Sequence, residues 1–182
     1  SAMTGGKFAN GAVTAAFSRA FNDEVHRRQF VRHFNKPGTM ERAHAEAAEA
    51  NNTLPNGDIA YVGHGSSIAL QNDQIVINGK PDQMYGEDVV ADIRRFMREQ
   101  GISYREGMTF IAAWCHAGVD PGNGWGSIAQ YISNELKWTV IAPTSNLWID
   151  SNGATSIHPK LPTGLPNTEV NGQWQTFRPG GR

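Results

Sequence analysis

The sequence predicts an α/β fold with a mostly parallel central sheet, preceded by helices. Two short apolar runs, Ile59-Ala60-Tyr61-Val62 and Met108-Thr109-Phe110-Ile111-Ala112-Ala113-Trp114, each stop abruptly at glycine or polar residues, as buried parallel strands do. Between them Val89, Val90, Ile93, Phe96 and Met97 recur at helical spacing, with Gly86-Glu87-Asp88 opening the helix and Gly101 closing it. Such a strand–helix–strand passage lays its strands parallel, with both carboxyl ends on one edge.

The remaining elements follow in order. Residues 10–34 read as helical, Pro37-Gly38 breaks them, and 39–50 form a second, Ala/Glu-rich helix with Thr39 and Arg42 at its start. A turn-rich linker, 51–57, leads into strand 59–63. Ile68-Ala69-Leu70 and Gln74-Ile75-Val76-Ile77 then bracket Asn72-Asp73 as an expected hairpin, which Asn78-Gly79-Lys80-Pro81 ends. After Cys115, residues 118–124 make a flexible loop into a helix that turns Ile128, Ala129, Ile132 and Leu136 toward the sheet. Strand 139–142 follows, and then a hairpin of 147–150 and 154–157 around Ser151-Asn152-Gly153, where Asn-Gly tolerates positive φ. From His158 onward Pro and Gly dominate, and only 173–177 is strand-like, in a tail that either covers a sheet edge or hangs free.

Composition narrows the class. The 182 residues are 39% apolar and 18% charged, enough to bury a substantial core. A formal net charge of −1 supplies no long-range pull toward nucleic acid or an anionic membrane, and the His26-Arg27-Arg28 and Arg94-Arg95 groups read as solvated helix faces. No apolar run approaches the roughly 18 residues of a membrane span, and no signal peptide is visible. With Cys115 alone, no intramolecular disulfide can form, which suits a reducing compartment. No phosphate-cradling glycine loop or paired-histidine zinc motif is present, so no cofactor or metal is expected.

The chemistry gathers at two strand ends. Cys115 follows one apolar run, and His64-Gly65 follows the other 51 residues upstream. Ligands of open α/β sheets bind outside the carboxyl ends of strands. A thiol and an imidazole on neighbouring strand ends can meet over one substrate carbonyl, the sulfur attacking and the ring handling the proton. His64 and Cys115 are therefore the expected catalytic pair, and the Gly65 and Cys115 amides are the expected oxyanion donors, with Gly65 keeping a side chain away from the substrate. His116 is a weaker alternative base, because neighbours on a strand face opposite ways. A metal held by His64, Cys115, His116 and Asp120 ranks below the dyad, since zinc would quench the nucleophile.

The blocks Ile59-Ala60-Tyr61-Val62-Gly63-His64-Gly65 and Phe110-Ile111-Ala112-Ala113-Trp114-Cys115-His116-Ala117-Gly118 resemble the histidine and cysteine motifs of the caspase-like cysteine peptidases. Within that superfamily the self-processing protease domains of large bacterial toxins are the most similar, and the resemblance covers about residues 54–157. It departs from the caspase signature in placing Gly three residues after the cysteine, at Gly118, and not two. The resemblance implies a caspase-like α/β/α sandwich over residues 53–157. It also implies a cysteine endopeptidase that acts on protein, with a specificity pocket that maps to Thr144, Ser145, Asn146 and Trp148.

Residues 4–22, from Thr4-Gly5-Gly6-Lys7 to Ala20-Phe21-Asn22, are similar to the segment that joins the shell of bacterial Rhs proteins to their variable toxins. The spacing of Phe17, Phe21 and Val25 alone reads as an ordinary amphipathic helix. The Rhs resemblance implies residues 1–52 as a helical linker from the parent and 158–182 as a tail. It further implies a toxin exported by a specialised secretion system, active in the cytoplasm of a target cell, with a cognate immunity protein as partner. A deamidase or transferase using the same dyad, and a non-enzymatic module with a buried Cys115, stay open as alternatives.

Overall fold

The computed structural model describes residues 29–181. In chain order these form β1 (Phe30–His33), α1 (Met40–Ala50), β2 (Ile59–Val62), β3 (His64–Gly65), β4 (Ala69–Ile77), β5 (Lys80–Tyr85) and α2 (Gly86–Gln100). There follow β6 (Thr109–Ala113), α3 (Ile128–Leu136), β7 (Thr139–Pro143), β8 (Leu147–Ile149), β9 (Thr155–Ile157) and β10 (Trp174–Phe177). The central sheet runs β1-β2-β6-β7-β10. Its first four strands are parallel, and β10 closes the β7 edge antiparallel, so the strand-like tail covers an edge.

Side chains alternate across a strand, and that period sorts the core into two layers. Ile59, Tyr61, Phe110, Ala112 and Trp114 pack with Val89, Ile93 and Phe96 of α2 and Ile128 and Ile132 of α3. Ala60, Val62, Ile111 and Ala113 pack on the opposite face with Ala45 and Ala48 of α1. Helices thus cover both faces of a mostly parallel sheet. Continuing the alternation beyond the strand ends puts Trp114 with the α2/α3 layer and carries His64 and Cys115 to the α1 side.

The helix ends obey local chemistry. Thr39 caps α1 by accepting from the Arg42 amide, Ser127 caps α3 by accepting from the Gln130 amide, and Gly101 ends α2 in the left-handed conformation. On the α2/α3 face Tyr61 donates its hydroxyl to Asp92 at 2.9 Å, and the same carboxylate pairs with Arg32 at 3.2 Å and with Arg95. Burial is the main reason that the Tyr61 hydroxyl is pushed far above the usual phenol range, with the Asp92 charge adding to it.

Two expectations are corrected. The helix read over residues 10–34 is a strand over Phe30–His33, whose Val31 turns to the α1 layer while Phe30 packs on the other, a period of two that the apolar spacing upstream obscures. The amino-terminal part of that helix and the Rhs-like segment lie outside the described residues. The hairpin does not turn at Asn72-Asp73. There the β4–β5 register shifts, and the chain reverses at Asn78-Gly79, where φ values of 51° and 77° meet the positive-φ demand of a tight hairpin turn. The second hairpin, β8–β9 around Ser151-Asn152-Gly153, forms as expected.

Candidate functional site

The parallel pairing of β2 with β6 sets the site. Val62 at the end of β2 stands opposite Ala113 at the end of β6, and His64 and Cys115 each follow two residues beyond those ends. Imidazole and thiol thus emerge from the carboxyl ends of two neighbouring parallel strands. On the other flank His33 stands opposite Val62, and Asn35 follows two residues beyond the end of β1. Asn35, His64 and Cys115 all line one cleft of about 430 Å³, with Glu41, His44 and Ala45 of α1 on one side and Asn146, Leu147, Trp148 and Ile149 on the other. Lys160 stands at its rim.

The small residues of α1 make the cleft. Ala45 and Ala48 let the helix approach the sheet closely, and the β8–β9 hairpin leans on the same helix. A Cβ on Gly153, whose φ is 78°, would collide with the Ala47 backbone, so this turn needs glycine for both conformation and contact. His44 ties the two walls by donating its Nδ1 proton to the Ile149 carbonyl at 3.0 Å.

Within the cleft Cys115 is half-buried, and its thiol points to the Leu147 carbonyl at 3.8 Å. Burial pushes the thiol above its ordinary range, while the Leu147 backbone, the Asn146 side chain, the Cys115 amide and the Lys160 charge act the other way. The resting group is a protonated thiol at neutral pH, and a base must take its proton before it can attack. His64 is half exposed and free of the core, with Nε2 at 3.8 Å from an Asp73 carboxylate oxygen.

His116 leaves the strand at a positive φ of 60°. Its Nε2 donates to the Asn146 side-chain oxygen at 3.1 Å, and its amide donates to the Ser145 carbonyl. It braces the Asn146 wall.

The structure brings together His64, Cys115, Asn146 and Trp148, but not the other expected residues. Gly65 does not line the cleft: a Cβ there would collide with the Trp114 indole and the Ala69 carbonyl, so the missing side chain makes room for Trp114, not for substrate. Thr144 bonds to the Gln173 backbone and faces a separate hollow with Gly118, Asp120 and Phe177. Ser145 is buried. The 118–124 loop borders that second hollow at Gly118, Val119 and Asp120 and does not reach the cleft. Among the described residues no three His, Cys, Asp or Glu side chains converge as a metal site.

Asn35, Glu41, His44, Lys160 and Asp73 were not found by sequence reasoning. The first four come to the cleft only through tertiary packing. Asp73 carried one available signal, its place in an Asn72-Asp73 pair read as a turn.

Fold and site define an α/β protein with a thiol and an imidazole facing one cleft at the carboxyl edge of its sheet. The chain belongs to the family described as Domain of unknown function (DUF8616), which matches residues 31–157, from β1 to the end of β9. No curated protein matches it.

Proposed function

We propose that the protein is a cysteine peptidase that works through the His64–Cys115 pair, with a caspase-like site. The observation that supports this is that the two residues follow the carboxyl ends of neighbouring parallel strands and line one cleft. His64 takes the thiol proton, and the sulfur attacks the peptide carbonyl carbon to form a C–S bond. The imidazolium then gives its proton to the amine as the C–N bond breaks, and water hydrolyses the thioester to release the acid and restore the thiol. The Asn146–Trp148 wall holds the substrate on the side away from α1. By resemblance to Rhs-type effectors, the protein is exported to act on a target-cell protein and is neutralised by an immunity protein that fills the cleft.

The test is expression of wild type and Cys115→Ala in bacteria, with intact-mass spectrometry of the proteins that change. Wild type arrests growth and yields paired fragments of its target, and Cys115→Ala does neither. A target that changes mass without being cut identifies a deamidase or transferase on the same dyad. Equal toxicity of the two proteins rejects the nucleophile.

A further inference from the structure

The three-stranded sheet β3-β4-β5 carries a chain of polar side chains that ends at His64. Gln83 on β5 donates Nε2–H to the Gln71 side-chain oxygen at 3.4 Å, and Gln71 donates its own Nε2–H to Asp73 Oδ1. The other carboxylate oxygen, Oδ2, faces His64 Nε2. Gln71 stands directly opposite His64 in the β3–β4 ladder, so acid and imidazole are fixed from one pair of strands.

The backbone at Asp73 is also specialised. The β4–β5 register breaks between Asn72 and Val76, and the Asp73 amide donates to the Phe34 carbonyl, beyond the end of β1, at 3.0 Å. Irregularities of this kind re-aim a side chain. Here the break ties β4 to the end of the central sheet and aims a carboxylate, 16% exposed, along the His64 ring. A structural ion pair has no need of an imidazole that is 48% exposed and otherwise unrestrained.

We propose that Asp73 is the positioning residue of His64, so that the pair is a Cys115–His64–Asp73 triad. This rests on the reading of Cys115 as nucleophile. At 3.8 Å the contact is an ionic one that a small turn of the ring closes into a hydrogen bond, and a carboxylate bonded at Nε2 selects the tautomer that carries its proton there and leaves the Nδ1 lone pair free for the thiol proton. The ring is held by the acid on one nitrogen and serves the sulfur with the other. Gln71 and Gln83 fix the carboxylate and so act one step further out.

Asn35 is the competing partner. Its side-chain oxygen is buried without a hydrogen-bond partner, beyond the end of β1 in the cleft that His64 also lines.

The experiment uses the full chain and iodoacetamide, and reads two quantities: the alkylation rate of Cys115 at neutral pH, and the tautomer of the neutral His64 ring from its nitrogen NMR shifts. Wild type shows the Nε2–H form. Asp73→Ala lowers the rate about tenfold or more and gives mixed tautomers, and Asp73→Glu restores part of both. Gln71→Met, which leaves the carboxylate but frees it, lowers the rate by a few-fold and keeps the position assayable if Asp73→Ala does not fold. Wild-type rate and tautomer in Asp73→Ala overturn the proposal, as does a loss that follows Asn35→Ala instead. A Cys115 inert even in wild type rejects the peptidase reading separately, and the tautomer then still decides the role of Asp73.

Discussion

The two faces of the central sheet are built to different ends. Against α2 and α3 the sheet presents Tyr61, Phe110 and Trp114, all fully buried, with a deep carboxylate, Asp92, satisfied by Tyr61 and two arginines. Against α1 it presents the smaller Ala60, Val62, Ile111 and Ala113, covered by Ala45 and Ala48 together with Leu54, and beyond them a cleft that a thiol, a half-exposed imidazole and an unpartnered Asn35 oxygen line. One face holds the fold with large residues and completed polar contacts. The other stays thin and leaves polar groups unmatched, which is where a substrate has something to bind.

Substitutions on the two faces are expected to separate stability from reactivity. The largest effect is Trp114→Ala, which removes a fully buried indole that fills the space beside Gly65 and is expected to cost about 4 kcal/mol in denaturant unfolding. His64→Ala is expected to lower Cys115 alkylation by iodoacetamide about 100-fold with unfolding nearly unchanged, since the ring is half exposed. A comparable loss of stability in His64→Ala would break the division between faces. Gly153→Ala, strained at its φ and pushed into α1, is expected to cost about 1–2 kcal/mol and to open the cleft, seen as faster labelling of Cys115 by bulky reagents.

The smallest effect concerns alkaline pH. The folded Cys115 thiol lies above its ordinary value, so once the pH passes that range the unfolded chain releases a proton that the folded chain keeps. Stability therefore falls as pH rises there, and is fully present below it. Cys115→Ala is expected to flatten that slope in unfolding titrations, and a slope unchanged by the substitution would mean that the thiol is not held in its protonated form.

Much of this architecture was legible where punctuation is local. The helix over Gly86–Gln100 announces itself through the apolar spacing of Val89, Val90, Ile93, Phe96 and Met97 and through Gly101, and the thiol and imidazole stand where two apolar runs stop. What escaped depends on partners distant in the chain. β1 reads ambiguously because Phe30-Val31-Arg32-His33 is only four residues long and owes its form to pairing with β2. β5, with Pro81 and Asp82, has little strand propensity and forms because Asn78-Gly79 folds it back on β4. Asp73 escaped with it, since its approach to His64 follows from the register break and not from spacing. Thr144 and Ser145 share a segment with Asn146 and Trp148, yet the chain turns after β7 and only the later pair reaches the cleft.

The strand contributed by Trp174–Phe177 has a practical consequence for any shortened version of the chain. It comes after the stretch that the family match covers, yet it saturates the outer rim of β7 with backbone hydrogen bonds. A truncation at Ile157 would strip that cover and leave a row of bare amides and carbonyls, ready to recruit strands from other molecules. The smallest fragment expected to remain monodisperse therefore extends through Phe177.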